Sequence, residues 1–430
     1  MSGILASAPA AVDLPLALTF PFVALLACLA LCPLLTPKFW ERYYRVVACG
    51  LGAVSLLWYV AAYHAKDRVV GVAGDYISFI VFLGALYTVA GSIHIRVRGE
   101  ATPLVNCLYL LAGAIISNLI GTTGASMLLV RPWIRMNKYR FTNFHTAFFI
   151  FLISNVGGSL TPIGDPPLFL GYLKGVPFFW ITARTWPMWS SAVGLLILIF
   201  YFVDRHNFLR APKEIRELET AHETFLVDGV RNFAYLAIIL AAVVFCPVVW
   251  RELLMGAAAA ASYLTTRPST HEANHFSFGP IKEVAWIFAG IFATMSPALD
   301  YLELHAAAFG LREPAQFYWL SGSLSAVLDN APTYLTFLAA AFGVHGMMLD
   351  EPGQMTAFIS QHGEYIVAIS LGSVFFGAMT YIGNGPNFMV KAIADHAKVH
   401  TPDFFAYILK FSAPILLPVL GLIALIFLRH

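Results

Sequence analysis

Two short stretches decide the fold of this chain: Thr161-Pro-Ile-Gly-Asp-Pro-Pro-Leu-Phe169 and Thr380-Tyr-Ile-Gly-Asn-Gly-Pro-Asn-Phe388. They lie 219 residues apart, and threonine, isoleucine, glycine, proline and phenylalanine coincide when one is laid over the other. Each interrupts a long apolar run with proline, glycine and polar residues. Lipid tolerates such a break only where protein or water satisfies the freed backbone groups. The two stretches therefore predict a pair of broken helices inside a membrane protein.

The composition agrees with that prediction. Of the 430 residues, 59% are hydrophobic and 12% are charged, and the mean hydropathy is +0.73. Soluble proteins carry about 25% charged residues. The 26 basic and 24 acidic residues leave a net charge of +2, which offers no basic field to a polyanion. A soluble enzyme, a disordered chain and a nucleic-acid-binding protein are thus all poor interpretations.

Apolar segments divide the chain into units of membrane-spanning length, about 20 residues each. We place them at 14–36, 44–63, 74–93, 103–130, 144–173, 177–203, 232–250, 252–266, 282–299, 315–344, 364–391 and 404–428. Segments 103–130 and 315–344 have a polar centre with glycine or proline, which predicts re-entrant hairpins. The polar stretch 204–231 predicts a solvated cytoplasmic linker, with an amphipathic helix as an alternative. It separates an N-terminal half (1–203) from a C-terminal half (232–430).

The basic residues orient the chain. If the two hairpins return to their own side and the other segments cross fully, 18 basic residues collect on one side and 6 on the other. The positive-inside rule makes the richer side cytoplasmic. A full crossing by 103–130 would instead place Arg96 and Arg98 opposite the basic cluster at 131–140.

A second, weaker match indicates an internal repeat. Residues 117–124 lie over 325–332 at a shift of 208. Five full spans lie between the start of the first repeat, near 74, and the start of the second, near 282, and this odd number inverts the second copy. Interrupted helices at matching places in inverted halves are typical of transport sites near the midplane. We therefore predict an all-α polytopic membrane protein with two inverted repeats, about 10 transmembrane helices and two re-entrant hairpins. Its broken helices lie at 144–173, with a first half to 163, and at 364–391.

Two carboxylates lie at the interruptions. Asp165 precedes Pro166 and Pro167, and Asp329 lies at the tip of the second hairpin. An ionisable residue at membrane depth is costly and usually functional. A proton and Na⁺ compete for such a carboxylate, which makes both residues candidates for cation exchange. The alternatives are a helix N-cap for Asp165 and a turn that closes the hairpin for Asp329.

We expect each hairpin tip to meet the broken helix of its own half and to form a cluster of oxygen donors suited to Na⁺. The N-terminal cluster contains Ser117, Asn118, Thr122, Thr123, Asn155, Thr161, Gly164 and Asp165. The C-terminal cluster contains Asp329, Asn330, Thr333, Thr380, Gly383, Asn384 and Asn387. The alternative for the hydroxyl and amide side chains is hydrogen bonding between helices.

The breaks carry no lysine or arginine, which favours a cation over an anion as the cargo. Half-helix N-termini favour anions, so a carboxylate substrate stays open as an alternative. The sequence has no phosphate-binding loop that would point to ATP, and no nucleophile–base pair or metal cluster that would point to an enzyme. We therefore predict a transporter without a cofactor.

Three motifs carry a family resemblance: Ser154-Asn-Val-Gly-Gly-Ser-Leu-Thr161-Pro-Ile-Gly-Asp-Pro-Pro167, Leu328-Asp-Asn-Ala-Pro-Thr333 and Thr380-Tyr-Ile-Gly-Asn-Gly-Pro-Asn387. They resemble the signatures of the ion transporter superfamily, over about 14–428. That group includes NhaD-type sodium/proton antiporters and the citrate, dicarboxylate and arsenite carriers. The resemblance implies a scaffold part and a moving transport part in each half, a homodimer and an elevator motion.

The resemblance also assigns residues. Asp165 and Asp329 match acidic positions of the antiporter motifs, whereas Thr380, Asn384 and Asn387 match a stretch of several anion carriers. The antiporter pattern continues after Gly-Asp with Val-Thr-Thr, where this chain has two prolines.

Our first functional prediction is Na⁺(Li⁺)/H⁺ antiport, in which Asp165 and Asp329 exchange a proton for the cation. The alternative is cation-coupled transport of citrate or a dicarboxylate. Either function places the protein in a lipid bilayer, which we expect to be a bacterial inner membrane. Its partners are then a small inorganic cation or an organic anion, and no nucleic acid.

Overall fold

The computed structural model describes residues 13–98, 101–138, 140–210 and 224–428. Within these ranges the regular structure is almost entirely helical, and seven helical stretches are long and apolar enough to cross a bilayer. The prediction of an all-α polytopic membrane protein is therefore confirmed. The number of full spans and the inverted relation of the two halves stay predictions.

The N-terminal half contains long helices followed by shorter, interrupted ones. Its elements are α1 (Phe20–Leu35), α2 (Pro37–Tyr63), α3 (Lys66–Gly91), β1 (His94–Arg98), α4 (Pro103–Met136), α5 (Asn143–Leu152), α6 (Pro166–Leu173) and α7 (Phe178–Arg210). Proline begins α2, α4 and α6, where its missing N–H would have no helical partner.

The C-terminal half repeats this order of long and interrupted helices. Its elements are β2 (Thr224–Asp228), α8 (Asn232–Phe245), α9 (Trp250–Thr265), α10 (Pro268–Ala273), α11 (Gly279–His305), α12 (Pro314–Ser325), α13 (Asn330–Val344), α14 (Gln354–Phe376), α15 (Gly385–His396), α16 (Phe404–Tyr407) and α17 (Leu417–Phe427). A π-helical segment, Ile408–Leu416, joins the last two helices, and it contains Pro414.

Helix α4 doubles back on itself at Gly121, whose φ of 76° suits glycine. The Tyr109 hydroxyl donates to the Leu129 carbonyl at 2.8 Å, and Asn106 Nδ2 donates to Asn137 Oδ1 at 2.8 Å. A straight helix would hold residues 20 positions apart about 30 Å from each other. We call this element hairpin 1, and it extends to Met136, past the predicted end at 130.

Helices α12 and α13 form a second hairpin, which reverses direction at 326–329. The rings of Phe317 and Phe337, one on each leg, lie 6.2 Å apart between centroids. We call this element (314–344) hairpin 2.

Each hairpin is followed by a broken helix. In broken helix 1 (143–173), α5 ends at Leu152, a 3₁₀ turn spans Val156–Ser159, and α6 begins at Pro166. In broken helix 2 (354–396), α14 ends at Phe376, a 3₁₀ turn spans Gly377–Met379, and α15 begins at Gly385. The first half-helix stops well before the predicted 163, and α14 begins ten residues before the predicted 364.

The predicted solvated linker at 204–231 is wrong at its N-terminal end. Helix α7 continues to Arg210, and the fully buried Asp204 carboxylate forms an ion pair with Arg140. Residues 224–228 form β2, which pairs antiparallel with β1. A buried charge needs such a partner, and sequence alone does not reveal one that lies 64 residues away. The rest of the predicted linker, 211–223, lies outside the described residues.

Helices α3 and α11 pack side by side next to the broken helices. Phe79 of α3 and Phe288 of α11 lie 4.7 Å apart between ring centroids. Phe82, one turn further along α3, stacks on Phe169 of α6 at 3.8 Å with an interplanar angle of 7°. The two helices thereby form an apolar wall against which the interrupted elements rest.

Candidate functional site

The tip of hairpin 1 is bound to broken helix 1 by backbone and side-chain hydrogen bonds. The Thr122 N–H donates to the Gly164 carbonyl at 2.8 Å. Asn118 donates to the Gly157 carbonyl at 2.6 Å and accepts from the Leu160 N–H at 2.9 Å. These contacts satisfy backbone groups that the break leaves without helical partners.

Hairpin 2 meets broken helix 2 in the same manner. The Thr380 hydroxyl donates to the Ala326 carbonyl at 2.6 Å, and the Ser325 hydroxyl donates to the Ser373 carbonyl at 2.5 Å. Each hairpin tip therefore contacts the broken helix that follows it in the chain.

The two expected clusters are joined into one network, with Asp165 at its centre. The Asp165 carboxylate accepts from Thr122 of hairpin 1, from Asn330 of hairpin 2 and from Asn384 of broken helix 2, the last at 3.2 Å. Only 1% of Asp165 is exposed. A single buried carboxylate thus connects both halves, which sequence spacing alone does not predict.

Buried amides extend this network. Asn155 Nδ2 donates to Asn387 Oδ1 at 2.7 Å, and Asn384 Nδ2 lies 3.1 Å from Asn155 Oδ1. Among the described residues, no group donates a hydrogen bond to the buried Oδ1 of Asn330. That oxygen is an acceptor beside the carboxylate.

The two aspartates differ in whether their side chains cap a helix. Asp165 and Asn384 occupy N-cap positions, but their side chains make no capping bond and turn into the network instead. Asp329 does cap α13, because its carboxylate accepts from the Ala331 N–H at 3.0 Å. Asp329 thus makes the bond that the turn alternative predicts, and its part in cation exchange stays a prediction. The residue is half-buried.

The remaining candidate residues either form hydrogen bonds at the hairpin tips or line the cavity described below. Ser117 donates to the Ile153 carbonyl, Thr161 to the Asn118 carbonyl, and Thr333 to the Asp329 carbonyl. Gly164 and Gly383 lie where backbone segments cross, and Thr123 lines the cavity. The Ser117 and Thr161 bonds join a hairpin tip to a break, as the helix-packing alternative predicts, and the part of these residues in ion binding stays a prediction.

A cavity of about 430 Å³ lies between the hairpin tips and the apolar wall of α3 and α11. Its polar lining comes mainly from hairpin 1, Asp329 and Glu283, and no lysine or arginine of the described residues lines it. Thr122 both lines the cavity and donates to Asp165, which itself lies just behind the cavity wall. We call this space the central cavity, and its volume suits a small organic molecule.

Two helix N-termini end on the central cavity. Pro166 begins α6 and Gly385 begins α15, and both residues line the space. A helix N-terminus carries a partial positive charge, which favours an anion. At α6 this charge comes without free N–H groups, because two prolines begin the helix and the next two N–H groups donate to the Asp165 carbonyl. The central cavity thus joins anion-attracting backbone to a buried carboxylate.

An ion-pair cluster lies at the opposite end of α3. Lys174, at the end of α6, binds Asp75 at 2.9 Å and Asp350 at 2.7 Å. Arg68 binds Asp350 at 2.7 Å and also pairs with Asp300 of α11. Arg68 and Tyr87, the latter at the cavity, are 19 residues apart on α3, or about 28 Å. This cluster ties α3 and α11 to broken helix 1 at that end.

We predict that Asp350→Asn lowers the free energy of unfolding by about 1–2 kcal/mol at pH 7, because a charged hydrogen-bonded pair is lost. Burial favours the neutral acid, but Lys174 and Arg68 outweigh it and hold the pKa of the Asp350 carboxyl below its ordinary value. The carboxylate therefore stabilises the fold above the ordinary pKa of about 3.9, and this contribution is lost as the pH falls through the lower folded-state value.

Thermal unfolding followed by tryptophan fluorescence at pH 7 and at about pH 3.5 checks this prediction. The difference between wild type and variant should be full at pH 7 and shrink at the acid pH. Asp395→Asn, which breaks an exposed pair with Lys391, is the control and should change little. A destabilisation by Asp350→Asn that is equal at both pH values would contradict the ion-pair account.

Sequence reasoning missed several residues. Glu283 lines the central cavity, although nothing near it in the sequence marks a site. Arg68 and Asp300 form a buried pair across 232 residues. An aspartate and an arginine at the ends of two apolar segments were the available signal, but their partnership is visible only in the fold.

A membrane protein whose polar centre lies at paired helix breaks belongs to the class of secondary transporters. The family model described as "Putative citrate transport" matches residues 11–428. The chain belongs to this family, which confirms the resemblance to the ion transporter superfamily. It is accordingly a transporter and not an enzyme. No curated protein matches the chain.

Proposed function

We propose that the protein carries citrate or a closely related di- or tricarboxylate across the bilayer, coupled to Na⁺ or H⁺. The family description favours this function over the Na⁺(Li⁺)/H⁺ antiport that we predicted first. The observation that carries the proposal is the pair of helix N-termini, at Pro166 and Gly385, that end on one cavity. Their partial positive charge favours a carboxylate in a space whose described lining has no basic side chain.

The coupling runs through Asp165. When the Asp165 carboxylate is charged, it offsets the partial positive charge at the N-terminus of α6, where Asp165 is the N-cap residue. A Na⁺ ion or a proton neutralises it, and the N-terminus then attracts the anion. Thr122 contacts both the carboxylate and the cavity, so it transmits the change.

Cation/proton antiport is the second candidate. It is favoured by one observation: Asp165 has hydrogen-bond donors but no basic partner among the described side chains. Asp329 contributes a second carboxylate to the cavity in either function.

The motion in this proposal is of the elevator type. The hairpins, the broken helices and α7 form the moving part, and α1–α3 with α8–α11 form the scaffold. The support is the arrangement of the cavity, which lies between the interrupted elements and the wall of α3 and α11. A homodimer in a bacterial inner membrane completes the proposal, on the strength of the resemblance.

The test uses purified protein in liposomes that contain a pH-sensitive dye. Labelled citrate is added to the outside buffer together with Na⁺, Li⁺ or K⁺, or in an outside buffer of acidic pH. We expect citrate accumulation that requires one of the cations or the proton gradient, and none in liposomes without protein. Alkalinisation of an acid interior by Na⁺ alone, without citrate uptake, would overturn the proposal in favour of antiport.

A further inference from the structure

A second cavity, of about 540 Å³, lies beyond the central cavity toward the end of the molecule that is rich in basic residues. Four basic side chains line it: Arg131 and Arg135 of hairpin 1, His396 of α15, and His275 in the loop before α11. We call this space the basic vestibule.

The charge of the basic vestibule is uncompensated within the part of the chain that the structure describes. No acidic side chain of the described residues lines the basic vestibule, and nothing accepts from the buried Nη1 of Arg131 within the described chain. Asp395, next to His396 in the chain, is exposed and already accepts from Lys391 and Thr401. Two arginines one turn apart thus share a space with no countercharge from the described lining, although like charges at that spacing repel.

The basic vestibule continues the central cavity along two helices. Gly124 lines the central cavity, and Arg131 lies two turns further along the same face of hairpin 1. Met389 of α15 lines the central cavity, and Ile393, one turn on, lines the basic vestibule. Residues at these spacings share a helix face, so the two spaces lie end to end, about 10 Å apart.

We propose that the basic vestibule binds the carboxylate groups of a di- or tricarboxylate at the mouth of the central cavity. Guanidinium groups pair with carboxylates in a bidentate fork, and two of them one turn apart suit an anion with more than one carboxylate. The central cavity has no lysine or arginine in its described lining, so a multiply charged anion meets its countercharge here, before it reaches the helix N-termini. This inference rests on the proposed function for the identity of the anion.

The first experiment measures binding without transport. The protein is placed in nanodiscs of zwitterionic lipid and treated with phenylglyoxal, and modification of each arginine is read by mass spectrometry. We expect citrate to protect Arg131 and Arg135 but not Arg42, which is exposed at the same end. Phosphate at equal ionic strength should protect much less, because it presents only one anionic group.

A variant sharpens the measurement. Arg135→Gln should raise the citrate concentration that half-protects Arg131 at least about tenfold, or about 1.4 kcal/mol. Arg267→Gln, which removes an exposed charge that lines neither cavity, should leave it unchanged. Lack of protection by citrate, or protection only when anionic lipid replaces the zwitterionic lipid, would overturn the proposal.

Flux provides the second readout. In everted vesicles, where we expect the basic end to face outward, citrate uptake by wild type should slow as choline chloride is added outside, because salt screens the attraction. In Arg131→Gln/Arg135→Gln that dependence should disappear, a change that mere loss of folded protein does not produce. A salt dependence that persists in the variant would count against the basic vestibule. If citrate protects Arg131 and Arg135 but the wild-type protein shows no citrate flux, the proposed function fails, and the anion site in the basic vestibule stands.

Discussion

Asp165→Asn is expected to abolish accumulation of citrate against its gradient, to less than about one hundredth of wild type. The carboxylate is almost fully buried, where a negative charge is the group that holds a cation or proton. Asparagine removes that charge at nearly constant shape, so movement of Na⁺ or H⁺ should no longer be coupled to movement of the anion. The measurement is the inside-to-outside ratio of labelled citrate in liposomes under a Na⁺ or proton gradient.

The same variant should still fold. An amide at position 165 meets Asn330, whose buried Oδ1 accepts no hydrogen bond within the described chain. Rotation of the Asn330 amide turns that oxygen toward the new Nδ2, so the network keeps its bonds. We therefore expect a thermal unfolding midpoint close to that of wild type.

Binding separates loss of coupling from loss of the site. The amide of Asp165→Asn mimics the neutralised acid, so the variant should bind citrate equally well with or without Na⁺, and this binding should no longer depend on neutralisation of a carboxylate. Asp228→Asn, at a partly exposed residue of β2, is the matched control and should behave as wild type. Normal accumulation by Asp165→Asn would remove Asp165 from the mechanism.

The sequence predicts the interruptions well, because proline and glycine act locally. Pro166 cannot continue a preceding helix, and the apolar runs on both sides are too long to be loops. The same locality explains the prediction of hairpin 1, since Gly121 and its polar neighbours lie in the middle of an otherwise apolar segment.

The contacts between the two halves, in contrast, cannot be predicted from local sequence. Asn330 and Asp165 are 165 positions apart, and the repeat pairs each tip only with its own broken helix. Which donor reaches the carboxylate depends on how the halves dock, and that depends on the whole apolar interface. Asp204 shows the same limit, because a charge at the end of an apolar helix resembles a solvated residue until Arg140 is known to cover it.

The second large effect is predicted for Gly164→Ala, which should lower the free energy of unfolding by about 2–3 kcal/mol and abolish transport. A Cβ at this position would lie 2.0 Å from the Gly158 carbonyl oxygen and 2.9 Å from Asn118 Oδ1. The Gly158 oxygen belongs to the backbone of the 3₁₀ turn, so it cannot move aside as a flexible side chain would. The carbonyl of Gly164 also accepts from the Thr122 N–H, so a shift of the break separates it from the tip of hairpin 1.

Two further glycines make this prediction specific. Gly383→Ala, at the matching position in the C-terminal half, should act in the same direction, because its Cβ would lie 2.5 Å from the Ser325 carbonyl oxygen. Gly194→Ala in α7 meets nothing within 4 Å and should be neutral or stabilising, by up to about 1 kcal/mol. Thermal unfolding and citrate flux of the three variants provide the comparison. If Gly164→Ala kept wild-type stability and flux, the contact between tip and break would not be needed for transport. Loss of both in Gly164→Ala alone, with Gly383→Ala unaffected, would instead mean that only the N-terminal break requires this close approach.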